Sequence, residues 1–225
     1  MSQTVPLRQS YCPAAASCCP KIAYPWHKQC NTKGMTKFTT HLKNEGNLIR
    51  TGLDLLKGFS DNLLQSKPVS IQDVRIAVYA MQIAFEKVYL VKKESVLFPA
   101  LISSSNWSTL PQELQDCIHH FRHQNEKGRT VLLKVRACID DHEQKTCPAG
   151  VVGLLLAEFV DHLSHYLHEA EATLLNLAES ILNPNEQSAL YHQAREIEFA
   201  QGLDQLRGPR LIFSQLQKKV GHLPI

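Results

Sequence analysis

No stretch of this 225-residue chain approaches the roughly 20 consecutive apolar residues that a membrane-spanning helix needs. Charge of one sign is equally scarce. Lysine and arginine exceed aspartate and glutamate by only three, which gives no general electrostatic reason to bind nucleic acid. Residues 1–35 contain neither the basic stretch nor the continuous apolar core of a secretory signal. The expectation is a soluble, cytoplasmic protein without a nucleic-acid or membrane partner. The chain also lacks a phosphate-cradling glycine loop, a Gly-x-Ser-x-Gly elbow and a zinc-protease motif. Strand-like alternation is missing as well. On these grounds it is not expected to be an enzyme.

Cysteine is present, but not in a stapling arrangement. Cys12, Cys18, Cys19 and Cys30 fall near the N-terminus; Cys117, Cys138 and Cys147 lie farther on. An odd count in a chain this long does not read as a disulfide framework. The first four could form a metal or redox cluster, but they match no standard zinc spacing. Residues 1–34 add prolines and show no clear period, so they read as a poorly ordered arm. Met35 is an alternative start.

What is abundant is helical periodicity. Phe38, Leu42, Glu45, Ile49, Gly52, Leu56 and Phe59 recur at steps of three and four, one helix face with a polar gap at Glu45. Ser66-Lys67-Pro68 breaks this helix, and Ser70 with Asp73 resembles a capping box. Val74, Val78, Met81, Phe85, Val88 and Val96 line a second helix, which Pro99 should kink or end. A third opens near Thr109 and Pro111 and carries Leu114, Ile118, Phe121, Asn125, Gly128, Leu132, Val135 and Ile139. The fourth carries Leu156, Phe159, Leu163, Tyr166, Ala170, Leu174, Leu177 and Ile181. Asn183-Pro184 opens a shorter fifth helix to about Leu206; Gly208-Pro209 ends it and a tail follows. Long helices with short connections predict an all-α protein, an antiparallel four-helix bundle over 35–182. Residues 183–225 would be an extra C-terminal helix and tail.

Two segments carry a family resemblance. Lys93-Glu94-Ser95-Val96-Leu97-Phe98-Pro99-Ala100-Leu101 and Asn125-Glu126-Lys127-Gly128-Arg129 resemble the hemerythrin-like (HHE) family, whose four-helix bundle holds two iron atoms. The resemblance implies a His-x-x-x-Glu pair on the second and fourth helices and one histidine each on the first and third. In this chain those positions fall on Tyr89 and Lys93, on Tyr166 and Ala170, on Gly46, and on Asn125. Iron in such a site wants imidazole and carboxylate. Gly46 and Ala170 offer no donor, and Lys93 is a competing cation. The expectation is therefore a bundle without the di-iron site and without a cofactor. Tyr89 and Tyr166 would fill the space, their hydroxyls bonded to Asn125, Glu45 or Lys93.

Other histidines suggest a relocated iron site. Glu45, His120, His162, His165 and Glu169 would have to converge to form it. Yet His162, His165 and Glu169 lie opposite the apolar stripe, where a solvated face is expected. Lys92-Lys93-Glu94 otherwise reads as a helix-end charge run, and Glu126 with Arg129 as a surface pair. Three functions stay open. The first is a non-enzymatic interaction or regulatory protein with an unknown protein partner, reached through the arm or the fifth helix. The second is an iron, oxygen or nitric-oxide binder with shifted ligands. The third is an enzyme using Lys93 as a base beside Tyr89 and Tyr166. The first is the leading expectation.

Overall fold

A computed structural model describes residues 37–200 and 205–220. The described elements are all helical. Helix α1 is Phe38–Leu64. Helix α2 spans 71–103; it is α-helical over Ile71–Gln82 and Phe98–Ser103 and widens to π-helix over Ile83–Leu90 and Lys93–Leu97. A 3₁₀ turn, Trp107–Thr109, leads to α3, Gln112–Glu143. Helix α4 spans 149–181, with a π-helical segment at Ala170–Leu175. Helices α5, Pro184–Ala200, and α6, Arg207–Val220, complete the set. No helix among the described residues is long and apolar enough to cross a membrane. The expectations for residues 1–34, including the four N-terminal cysteines and the start at Met35, lie outside the described residues.

Local chemistry sets the helix ends. The Ser70 hydroxyl accepts the Asp73 N–H at 3.2 Å, satisfying one of the orphan donors of the first turn. At α5 the Asn183 side chain accepts the N–H groups of Asn185 and Glu186 at 2.9 and 3.0 Å. Glu186 accepts the Asn183 N–H in return at 2.7 Å, a reciprocal capping box. Helices α1 and α3 close with Ser66 and Lys145 in the left-handed region. The N–H of the next residue in each case reaches back to Asn62 O and Asp141 O, both at 2.9 Å, the Schellman arrangement.

The apolar stripes legible in the sequence face one another. Helix α1 packs along α4 and against α2, and α3 packs on α4 and α2. Phe38, Leu42, Phe85, Phe121, Leu132, Leu156 and Phe159 are fully or almost fully buried in the shared core. Gly46 and Gly52 mark close approaches on α1. A Cβ at Gly46 would stand 3.2 Å from a Glu171 carboxylate oxygen.

Three features depart from the sequence reading. Residues after Gly208-Pro209 are not tail but α6. Proline is tolerated in a first helical turn, where its missing N–H is not needed. Leu206, Pro209, Phe213 and Leu216 are buried at steps of three, four and three. Phe213 seats against Gly52 so closely that a Cβ there would lie 2.6 Å from its ring. Pro99 does not end α2, which runs on to Ser103; the wide turn just before it relieves the clash a proline makes inside a regular α-helix. Cys138 and Cys147 are joined as a disulfide across the α3–α4 turn, whereas Cys117 is free and buried.

Helix α5 packs Ala194, Leu190, Tyr191 and Ile197 against the core and is also held by polar groups. The buried Gln187 accepts the Thr39 N–H of α1 and donates to the Ala178 carbonyl of α4, both at 3.3 Å. Its last two turns carry Arg195 and Glu198 to the side of α2 that bears Lys92.

Candidate functional site

Two adjacent lysines of α2 are buried, and they face different partners. Lys92 is 1% and Lys93 0% exposed. Neighbouring helix positions point about 100° apart, so both can be buried only where the helix is covered on two sides. Here α1 covers α2 on the core side and α5 closes over the 93–97 turn. The expected helix-end charge run is corrected accordingly: Lys92 and Lys93 are buried inside the structure.

Lys93 enters an aromatic box. Its Nζ lies 4.4 Å from the ring centre of Tyr166, 4.8 Å from Phe121, 5.4 Å from Tyr89 and 5.9 Å from Phe98. It donates to the Tyr166 hydroxyl at 2.6 Å. That hydroxyl donates to Asn125 Oδ1 at 2.5 Å. The Asn125 amide donates to Glu94 at 2.6 Å, and Arg129 holds the other Glu94 oxygen at 2.7 Å and pairs with Glu126 at 2.5 Å. A chain of hydrogen bonds thus runs from a half-buried carboxylate to an amine in the core. Four aromatic faces and one hydroxyl do not replace the water an ammonium gives up. Burial is the main cause that pulls the Lys93 amine down to about 7, against the upward pull of the Glu94, Cys117 and Glu169 charges.

The tyrosines behave unequally. Tyr166 makes both expected bonds. The Tyr89 hydroxyl, equally buried, has no protein partner, and neither does Glu45 Oε2; here the expectation that each tyrosine hydroxyl is hydrogen-bonded is corrected. Burial raises both phenols, helped by nearby negative charge: Glu171 and Glu45 act on Tyr89, and Glu94 acts on Tyr166 beside the contribution from Tyr89. Both are neutral at ordinary pH. Replacing Tyr166 with Phe removes one acceptor from Lys93 and one donor from Asn125. Urea unfolding should show a loss on the order of 1 kcal/mol per lost hydrogen bond, and an unchanged midpoint would contradict the network.

The six positions implied by the resemblance are all buried. Lys93, Asn125 and Tyr166 are joined by the chain of hydrogen bonds, and the Tyr89 ring faces the Lys93 amine. Gly46 and Ala170 contribute backbone only. Arg50 and Glu171, paired at 2.8 Å, lie beside Gly46. The π-helical segments fall on this region: Tyr89 lies in the first, Lys93 opens the second and Ala170 opens the third. A wide turn advances the chain by an extra residue, and no hydrophobic pattern read at 3.6 residues per turn reveals it.

The five residues of the relocated site do not assemble. His120 pairs with Glu169 at 2.9 Å on the surface. His162 contacts the Gln124 carbonyl at 3.3 Å, and His165 is exposed. Glu45 instead meets His41 and Glu198, whose ligand atoms lie within 4.8 Å of one another. This was the residue set that sequence reasoning missed. Its signal was legible in part: His41 and Glu45 are four apart on α1 and share a face. Glu198, on α5, carried none.

Lys92 sits among these three groups. Its Nζ is 3.2 Å from His41 Nε2 and makes short contacts with carboxylate oxygens of Glu45 and Glu198. His41 Nε2 lies 3.1 Å from Glu45 Oε1 and 3.0 Å from Glu198 Oε1. Arg195 takes the second Glu198 oxygen. Lys92 and Arg195 set two basic side chains against the carboxylates of Glu45 and Glu198, and His41 contacts both acids. Burial works against charge on His41, but its hydrogen bonds to Glu198 and Glu45 outweigh that and raise its pKa. Burial alone would raise the Glu198 carboxyl; its bonds to His41 and Lys92 hold it down at about 2.

No family model, no curated protein and no solved structure matches this chain.

Proposed function

We propose that the chain is a metal-free relative of the hemerythrin-like proteins, an antiparallel four-helix bundle built from α1 to α4 that acts by binding another protein. The mutual packing of those four helices supports the bundle reading. One observation carries the functional reading: the amine of Lys93 lies where the resemblance implies an iron-binding carboxylate, and it is tied into Tyr166, Asn125 and Glu94. An iron ion has nothing to bind there. Gly46 and Ala170 have no donor atoms, the Asn125 oxygen already accepts from Tyr166, and the phenols are held neutral by burial. The residues present do not fit a di-iron centre. Loss of the metal removes the family's means of holding small oxidants and leaves a rigid helical body, to which α5 and α6 add outer faces for a partner.

Iron analysis tests this directly. Protein from iron-supplemented culture, and protein reconstituted anaerobically with Fe(II), should carry no stoichiometric iron and show no oxo-bridge absorption. Two irons per chain with such bands would overturn the reading and make oxygen or nitric-oxide binding the leading function. The enzymatic alternative has less support. Lys93 is wholly buried, and the described surface grooves are lined by other residues, such as Arg75, Tyr79 and Arg136 or Tyr79, Ile83 and Lys87.

A further inference from the structure

We infer that His41, Glu45 and Glu198 form a divalent transition-metal site in which the ammonium of Lys92 is the resident cation, and that the site accepts a zinc-like ion when that ammonium is removed. The inference does not depend on the family resemblance, because Glu198 comes from α5, outside the proposed bundle.

Geometry carries it. One imidazole and two carboxylates are donors that suit Zn²⁺ or Co²⁺. Ligands about 2.1 Å from a tetrahedral ion lie roughly 3.4 Å from one another. His41 Nε2 stands 3.1 Å from Glu45 Oε1 and 3.0 Å from Glu198 Oε1. Two of the three edges of the ligand triangle are thus within a few tenths of an ångström of that spacing. The third edge is bounded, since all three atoms fall within 4.8 Å of one another. A second, independent observation points to a cation. Glu45 is 3% exposed, and its Oε2 is buried without a hydrogen-bond partner, leaving an acceptor free beside the one that meets Lys92. The third is Lys92 itself, whose Nζ contacts all three donors at once. A single ammonium reaching three such groups occupies the position a metal ion would hold.

This arrangement has a structural consequence. A metal at such a point would join α1, through His41 and Glu45, to α5, through Glu198; the lysine makes the same link and ties in α2 as well. The wild-type chain therefore holds α5 in place without drawing on metal supply.

The test uses the full chain with Lys92→Ala, titrated with Co(II) and then Zn(II). The variant should bind one Co(II) per chain, with visible d–d absorption that Zn(II) abolishes, and Zn(II) should raise its melting temperature. Wild type at the same concentrations should show neither effect. Adding Glu198→Ala to the Lys92→Ala chain should remove the band. If Lys92→Ala folds only when Zn(II) is supplied, the ion has replaced the ammonium and the inference stands. A variant that binds no Co(II), or that stays unfolded with and without Zn(II), overturns it. So does a Co(II) signal that survives Glu198→Ala, or one of equal strength in wild type.

Discussion

Replacing Lys93 with methionine is expected to stabilise the protein near neutral pH, with an advantage that shrinks as pH rises. The amine titrates at about 7 in the folded chain against an ordinary value of 10.5. Between those values the unfolded chain holds a proton that the folded chain does not. Stability must therefore rise with pH across that window, by a little over 1 kcal/mol per pH unit for one proton. Below about 7 both states are protonated, and the folded chain carries the full cost of a buried charge. Methionine is similar in volume and titrates nowhere, so it removes both the cost and the slope. The raised His41 works in the opposite direction: its contribution is present at low pH and fades as pH climbs through its folded value. The raised Cys117 thiol also opposes the rise in the alkaline range. Only the difference between variant and wild type isolates Lys93, because the other groups are common to both. Urea unfolding at steps from about pH 6 to 9 provides that difference. Parallel stability profiles would mean that Lys93 keeps its proton in the core.

Such a slope would also bear on why a lysine is kept at this position. A buried amine bonded to one phenol is a poor stabiliser compared with an apolar residue. Its partner Tyr166, from α4, passes the chain on to Asn125, from α3, and each loses a partner if the helices slide. The arrangement therefore specifies register at the cost of stability, a role attested for single polar residues in helical seams.

Most of the helical framework was legible in the sequence, because burial of one face imposes a period that survives any choice of side chain. The predicted stripe of α1, including the polar Glu45, is buried throughout, and so is that of α4. Caps were legible where a side chain does the work, as at Ser70 and Asn183. What was not legible follows from effects the period does not record. The wide turns of α2 and α4 change the register locally without altering which residues are apolar. Helix α6 was hidden because Gly208-Pro209 is punctuation for a helix end and equally acceptable in a first turn. Lys92 was hidden because charge on a helix normally means a solvated face. Its burial depends on Glu198, more than a hundred residues away in sequence, and no local pattern encodes that pairing.

Lys92→Met should be among the most damaging single changes in the chain. It leaves Glu45, 3% exposed, and Glu198, 17% exposed, without the cation that faces both. Removing one partner of a buried ion pair costs roughly 3–5 kcal/mol, because the remaining charge stays desolvated. His41 and Arg195 soften the loss at Glu198, since each keeps its own contact there; Glu45 keeps only His41. Equilibrium unfolding should show the full loss, and hydrogen exchange should show it first in α5, whose end is tied down by Glu198. Neutralising the stranded acid restores part of the stability, so Glu45→Gln combined with Lys92→Met should be more stable than Lys92→Met alone. Acid titration gives an independent readout. With its carboxyl held at about 2, Glu198 contributes stability that is complete above its ordinary value near 4.5 and is lost as pH falls toward 2. Without Lys92 that window narrows and acid unfolding moves to higher pH. A loss under about 1 kcal/mol, the size of an exposed pair, together with an unchanged acid profile, would show that the ammonium does not hold these helices together.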